Sequence, residues 1–248
     1  MIRLDEQVAI VTGGGRGLGL AYALLLAERG ARVVLHDIGA DREGLGSDPG
    51  VATAAVMAIE GAGGTAIASA VGLDARGGCR ELVEAAMSRF GRLDILVHNA
   101  GWVGYQRVEE ITPEFLKRAM DIHVQAPTWL AQSVFPIMAR VGYGRIVLTT
   151  SDRAIYKQYA QRGLAAYAMG KMAQIGFMNI LAAEGEEHGI LVNAVSPVAK
   201  TRMWGVEDEP DELRPDQVAP GVLYLASPEC RETGYILRAS NGQFIAAR

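Results

Sequence analysis

Cysteine is scarce in this 248-residue chain. Its two thiols, Cys79 and Cys230, lie far apart and outside metal-ligand spacing, so they read as reduced thiols of a cytoplasmic protein. The four histidines are scattered, and neither HExxH nor CxxC occurs, so no metal site is expected. Long hydrophobic runs are missing too: none reaches the ~20 residues that span a bilayer. Met1-Ile2-Arg3-Leu4-Asp5-Glu6 is no signal peptide, because a strand starts almost at once, and Ala246-Ala247-Arg248 is not a peroxisomal address. The net charge of −4 carries no basic block, which argues against nucleic acid or an anionic membrane as partner.

What is present is small and apolar. Half the residues are hydrophobic, and there are 30 glycines. The length suits one domain over 1–248 with a sizeable core. Short β-branched runs at 8–12, 32–36, 65–70, 94–98, 144–150 and 190–195, with a weaker one near 235–238, read as strands. Helical stretches lie between them, near 17–29, 51–61, 78–90, 113–138, 166–187 and 215–226. Strands that alternate with helices predict an α/β fold: a parallel, doubly wound sheet of about seven strands with helices on both faces. Two irregular pieces, Ile38 to Gly50 and Val198 to Pro215, fall beyond strand C-termini, where such sheets bind ligands.

The run Thr12-Gly13-Gly14-Gly15-Arg16-Gly17-Leu18-Gly19 joins the first strand to the first helix. The free N–H groups and dipole of a helix start favour an anion there, and glycine lets a pyrophosphate approach. Asp37 closes the second strand roughly 20 residues further on, where an acidic side chain binds the adenosine ribose of NAD. Tyr167 and Lys171 stand four apart in a helical stretch and share a face. An ammonium there favours the phenolate, which lets Tyr167 exchange a proton with an alcohol or ketone. Ser151, at the end of the fifth strand, is placed either to orient a reacting oxygen or to cap a turn.

TGxxxGxG at 12–19, Asn99-Ala100-Gly101, Ser151, Tyr167-x-x-x-Lys171 and Asn193-Ala194-Val195-Ser196-Pro197 together resemble the short-chain dehydrogenase/reductase family. The glycine turn, the loop after Asp37, Thr201-Arg202-Met203 and Pro215-Asp216-Gln217-Val218-Ala219-Pro220 are most similar to the (3R)-hydroxyacyl-CoA dehydrogenase domain of D-bifunctional (multifunctional type 2) enzymes. The resemblance implies a single-domain Rossmann fold that takes NAD and interconverts a secondary alcohol and a ketone. Ser151 would orient the substrate oxygen and Tyr167 would be the acid/base. Lys171 would hold the nicotinamide ribose and lower the Tyr167 pKa.

By the same resemblance Gly13, Arg16, Gly17, Leu18 and Gly19 form the phosphate turn. Asp74 and Ala75 would meet the adenine, Asn99, Ala100 and Gly101 would line the cofactor, and Pro197 and Thr201 would flank the carboxamide. Asp37 favours NAD over NADP, against the opposing pull of Arg16 on a 2′-phosphate. His123 stands where the family has an asparagine that supports a proton relay, so it is either a relay member or a satisfied core histidine.

Three departures stand out. His98 replaces one sheet-stabilising amide, and Val198 adds a Cβ after Pro197. The stretch Tyr156 to Gly163 lengthens the spacing between Ser151 and Tyr167 beyond the family's usual one. Trp102, Tyr105, Tyr156, Tyr159 and Trp204 are candidates for an apolar pocket, and Lys157, Arg153, Arg162, Lys200 and Arg202 for cations at its mouth.

Possible substrates are a 3-hydroxyacyl thioester, a hydroxysteroid or a smaller cyclic or aromatic alcohol. Gly170 and Gly176 weaken the helix of Tyr167 and suggest close approach of another helix, in keeping with the family's homodimers and homotetramers. The rival reading is a non-catalytic NAD(H)-binding regulatory protein that keeps the fold.

Overall fold

The structure, a computed structural model, describes residues 1–205 and 210–247, the Trp204 side chain excepted. Its strands are β1 (Val8–Thr12), β2 (Arg32–His36), β3 (Thr65–Ser69), β4 (Ile95–His98), β5 (Gly144–Thr149), β6 (Ile190–Val198), β7 (Ile236–Ser240) and β8 (Gln243–Ala247). Its α-helices are α1 (Gly17–Glu28), α2 (Pro49–Gly61), α3 (Arg76–Phe90), α4 (Pro113–Met120), α5 (Ala126–Val141), α6 (Asp152–Ile155), α7 (Ala165–Gly185) and α8 (Ala219–Leu225). All the strands form one sheet in the order β3-β2-β1-β4-β5-β6-β7-β8. Every pairing is parallel except β7 with β8.

Alternation along the buried strands divides the core between the two faces of the sheet. Ala9, Val11, Val33, Leu35 and Val97 pack with α1, α2 and α8. Val8, Ile10, Val34, Leu96 and Ile146 pack with α3, α5 and α7. Both faces are thus dry, as a parallel sheet requires. Helix boundaries follow local chemistry. Thr112 caps α4 by accepting from the Phe115 N–H at 3.2 Å, and Asp48 caps α2 through the Gly50 N–H at 2.9 Å. Gly91 and Gly142 end α3 and α5 in the left-handed conformation.

The structure differs from the sequence reading in two places that matter for the site. First, β8 was not expected. Asn241-Gly242 join β7 to β8 with both φ angles positive, the two-residue hairpin that Asn-Gly favours. Second, the single helix expected over 113–138 is interrupted by a π-helical turn, Asp121–Gln125, between α4 and α5. Pro127 has no N–H to give the His123 carbonyl four residues back. The Gln174 side chain from α7 donates to that carbonyl instead, at 2.9 Å.

Candidate active site

A cavity of about 1080 Å³ opens at the carboxyl ends of the strands, spanning the crevice where strand order reverses between β1 and β4. One end is built largely from backbone. Gly13 and Gly17 have φ of +62° and +53°. A Cβ at Gly13 would lie 2.9 Å from the Ala100 Cα, and one at Gly19 only 1.9 Å from the Gly13 carbonyl oxygen. No other residue type fits there without moving the turn.

Asn99 fixes this turn from below by donating its amide to the Gly13 carbonyl at 3.0 Å. The Thr12 hydroxyl accepts from the N–H groups of Asn99 and Ala100, so its own proton turns to His98 Nδ1 at 3.1 Å. His98, in place of the missing amide, therefore still ties β4 to β1.

Asp37 stands at the end of β2 with its carboxylate oriented by two backbone donors. Oδ2 accepts from Gly15 at 2.9 Å and Oδ1 from Gly39 at 2.8 Å. Arg16, Leu18, Asp74 and Gly101 also line the cavity. Pro197, Val198 and Thr201 line it from the end of β6 and beyond, and the Thr201 methyl lies against Gly17. Ala75 does not line it: this residue precedes α3 as the cap.

The loop after Asp37 reaches across the cleft. Arg202 donates to the Ala40 carbonyl at 3.0 Å, and Arg118 donates to the Glu43 carbonyl while stacking over Trp102 at 4.0 Å. A glycine cradle at a helix start, closed to side chains, with a carboxylate at the next strand end, fits a dinucleotide.

The other end brings Ser151, Tyr167, Lys171 and His123 to one wall of the cavity. The Ser151 hydroxyl accepts from the Arg153 N–H at 3.3 Å and so caps α6. Lys171 is buried, and its Nζ donates to the Thr149 carbonyl at 2.7 Å. Burial brings its pKa down to about 7. Burial raises the Tyr167 phenol, while the Ser151 hydroxyl and the positive charge of Arg153 act against that rise. Sequence spacing gave the task of lowering the phenol pKa to Lys171. In the structure Ser151 and Arg153 act in that direction.

His123 is fully buried, and its ring meets that of Tyr167 edge to face at 5.3 Å. Its Nε2 lies 2.7 Å from the Trp102 carbonyl, which can only accept, so Nε2 carries the proton. Nδ1 is then a buried acceptor with no partner among the described residues, and burial keeps the ring neutral by lowering its pKa well below the histidine range. Gly170 makes room for this ring: a Cβ there would lie 2.5 Å from the His123 Cβ. That glycine is explained inside the chain. Gly176 faces open space instead.

Two cavity residues carry no local sequence signal. Asp152 takes a double hydrogen bond from Arg238 on β7, at 3.0 and 2.7 Å, and a third from Ser196 at 2.7 Å. Arg238 in turn lies 4.8 Å from the centre of the Tyr156 ring, which fastens the lengthened loop. A charged pair so far apart in sequence is visible only once β5 and β7 flank β6. The Asn-Gly hairpin could have disclosed β8, which adds Gln243 and Ile245 to the wall.

Of the aromatic candidates, Trp102 and Tyr159 line the cavity, whereas Tyr105 and Tyr156 do not. The Trp204 side chain lies outside the described residues. Of the candidate cations, Arg153 and Arg202 line the cavity and Lys200 pairs with Glu212 at 2.8 Å. Lys157 and Arg162 are exposed and do not line it.

A dinucleotide cradle facing a half-buried tyrosine and a buried lysine defines the class as a nucleotide-dependent oxidoreductase. The chain belongs to the short-chain dehydrogenase family, whose profile, described as short chain dehydrogenase, matches residues 7–211. Members of this family use NAD(P). The peroxisomal multifunctional enzyme type 2 of Drosophila melanogaster is 36% identical over 245 residues, which cover 97% of this chain and 40% of that protein. The chain thus spans less than half of that relative.

A solved short chain dehydrogenase from Mycobacterium avium superposes with a TM-score of 0.86 at 30% identity, covering 98% of this chain and 85% of the other. A 7α-hydroxysteroid dehydrogenase solved with NADH and 7-oxo glycochenodeoxycholic acid gives 0.85 at 30% identity, covering 97% and 95%. Among the described residues no helix is long and apolar enough to cross a membrane.

Proposed function

We propose that this chain works as one domain that interconverts a secondary alcohol and a ketone with NAD. One observation carries the reading: Ser151, Tyr167 and Lys171 meet at one end of a cavity whose other end is the glycine turn and Asp37. When bound, the dinucleotide takes up or gives a hydride at the substrate carbon. Ser151 orients the substrate oxygen, and Tyr167 takes its proton in oxidation and returns it in reduction. Lys171, held by the Thr149 carbonyl, binds the nicotinamide ribose. The buried Nδ1 of His123 accepts a hydrogen bond from a water in a proton relay, a role that its lack of a partner among the described residues supports.

Arg16, Gly17 and Leu18 hold the pyrophosphate, and Asp74 meets the adenine. Asp37 accepts from both ribose hydroxyls, and its charge opposes a 2′-phosphate, so NAD is the cofactor despite Arg16 and Arg202 nearby. A non-catalytic NAD(H)-binding role is the weaker alternative, because such a protein has no use for a half-buried tyrosine beside a buried lysine in the cavity.

The outward face of α7 supports self-association as a homodimer or homotetramer. Met169, Met172 and Ile180 are exposed there at helical spacing around the open Gly176. The two cysteines are buried and unpaired, in keeping with a reducing compartment, for which we take the cytoplasm.

The substrates to test first are a 3-hydroxyacyl thioester, as the multifunctional relatives suggest, a hydroxysteroid, and smaller cyclic or aromatic alcohols. A screen of these with NAD and NADP, read by nicotinamide absorbance, tests the reading. Turnover of at least one alcohol or ketone is expected, and its complete absence in a chain that binds NADH would favour the regulatory alternative.

A further inference from the structure

The cavity wall holds an ion pair, Asp152 with Arg238, that belongs to neither the proton transfer nor the dinucleotide cradle. Asp152 directly follows Ser151 and opens α6. Its Oδ1 accepts from the Ser196 hydroxyl at 2.7 Å and from Arg238 Nε at 3.1 Å. Its Oδ2 accepts from Arg238 Nε at 3.0 Å and from Nη2 at 2.7 Å. Ser196 on β6 and Arg238 on β7 are register partners, so both side chains leave one face of the sheet and reach the same carboxylate.

Arg238 grips the other end of α6 as well. Tyr156 closes this short helix, and its ring centre lies 4.8 Å from the guanidinium. Tyr156 in turn meets Tyr159 edge to face at 6.3 Å. From there Gln158, Tyr159, Ala160 and Gln161 line the cavity. One side chain on β7 thus joins the residue beside Ser151 to the lengthened loop.

Stability alone does not account for the pair. Asp152 is buried and Arg238 half-buried, and desolvation offsets much of what such charges gain from each other. A forked guanidinium–carboxylate contact supplies a fixed geometry instead. Ser151 needs that geometry, because a misplacement of about 1 Å costs on the order of 100-fold in rate. The lengthened loop needs it too, since its backbone freedom has to be removed before it can shape a wall.

Resting on the alcohol–ketone reading above, we propose that Asp152 and Arg238 act as one positioning unit. It sets Ser151 for the substrate oxygen and holds the lengthened loop as the wall that selects the substrate.

The test compares the wild type with Asp152→Ala, Arg238→Gln, Arg238→Lys and the double variant Asp152→Ala/Arg238→Gln, which leaves neither charge unpaired. The loop is read first, with no substrate present. Hydrogen exchange of 152–163 and tryptic cutting after the exposed Lys157 and Arg162 should quicken about tenfold in Arg238→Gln, as for a lost local anchor. Exchange in β1 and α1 and the affinity for NADH should stay near the wild-type values. Unchanged exchange in the loop overturns the proposal, and so does exchange that quickens equally throughout the chain, which marks a purely structural pair.

Kinetics with NAD follow on cyclohexanol, a hydroxysteroid and 3-hydroxybutyryl-CoA. On whichever is turned over, Asp152→Ala and Arg238→Gln should each lower kcat/KM about 10- to 100-fold, with kcat falling through Ser151 and KM rising through the loose wall. Arg238→Lys should regain part of the loss. The double variant should lose no more than the worse single one, because both act through one contact. Losses that multiply in the double variant, or single variants with wild-type kcat and KM, overturn the proposal. A chain that binds NADH and turns over none of the three fails the alcohol–ketone reading, and the pair is then judged by loop exchange alone.

Discussion

The two ends of the cavity are built on different principles. At the dinucleotide end the walls are backbone: Gly13 and Gly19 leave no space for a Cβ, and Asp37 is aimed by two N–H groups. At the reactive end the walls are side chains from distant segments, joined by contacts such as Asp152 with Arg238 and His123 with Gly170. On the proposed reading the first end receives a ligand of fixed shape, so its residues are constrained by geometry. The second can change its substrate by exchanging side chains while the sheet stays as it is.

Substitutions at each end sharpen this contrast. Tyr167→Phe should have the largest effect, lowering kcat by about 10³-fold, within the range for a lost acid/base. NADH affinity measured by fluorescence should stay near the wild-type value, and equal turnover would break the assignment of the reactive end. Gly19→Ala should act on the fold instead. Its methyl would meet both the Gly13 carbonyl and the Asn99 amide, so a loss of ~3 kcal/mol in urea unfolding is expected, with weaker NADH binding. An unchanged Tm would show that the turn adapts and that the backbone principle is wrong.

Asp37→Ala should abolish an NAD preference over NADP of at least about tenfold in kcat/KM. Equal use of both cofactors by the wild type would remove Asp37 from its role.

The glycines of α7 give a smaller pair of effects. Gly170→Ala should cost ~1–3 kcal/mol by pressing on His123. Gly176→Ala should weaken self-association in sedimentation equilibrium. A stability gain of about 1 kcal/mol in a chain that is already monomeric at micromolar concentration would instead show an ordinary exposed helix face.

The smallest effect concerns pH. Burial holds His36, His98 and His123 below the usual histidine range, His98 at about 3. Between these lowered values and the unfolded value of about 6.5 the unfolded chain binds more protons, so stability falls as pH drops below about 6.5. Urea midpoints at pH 7.5 and 5.0 should differ less in His98→Asn than in the wild type.

The same contrast explains what was legible before any coordinates. The glycine turn, Asp37, and the Tyr167–Lys171 spacing are local patterns whose residues line one cavity, and the strands of the parallel sheet follow from β-branched runs. The π turn at His123 depends on Pro127 and on Gln174 from another helix, so no window of sequence contains it. Arg238 and Asp152 become neighbours only through the sheet order. Arg153 reads as one loop cation among several until its position next to the phenol is known. The Asn241-Gly242 hairpin is the exception: its signal was local, and β8 could have been read from it.

Helix α7 carries Tyr167, Gly170, Lys171 and Gln174 along a single stripe, and all of them serve the reacting wall. Sliding this rod by one residue's rise, ~1.5 Å, would misplace the phenol, the amine and the support of His123 together. New specificities in this lineage are therefore expected to arise opposite the rod, in the stretch that holds Arg153, Gln158 and Gln161, where exchanging one side chain leaves its neighbours in register.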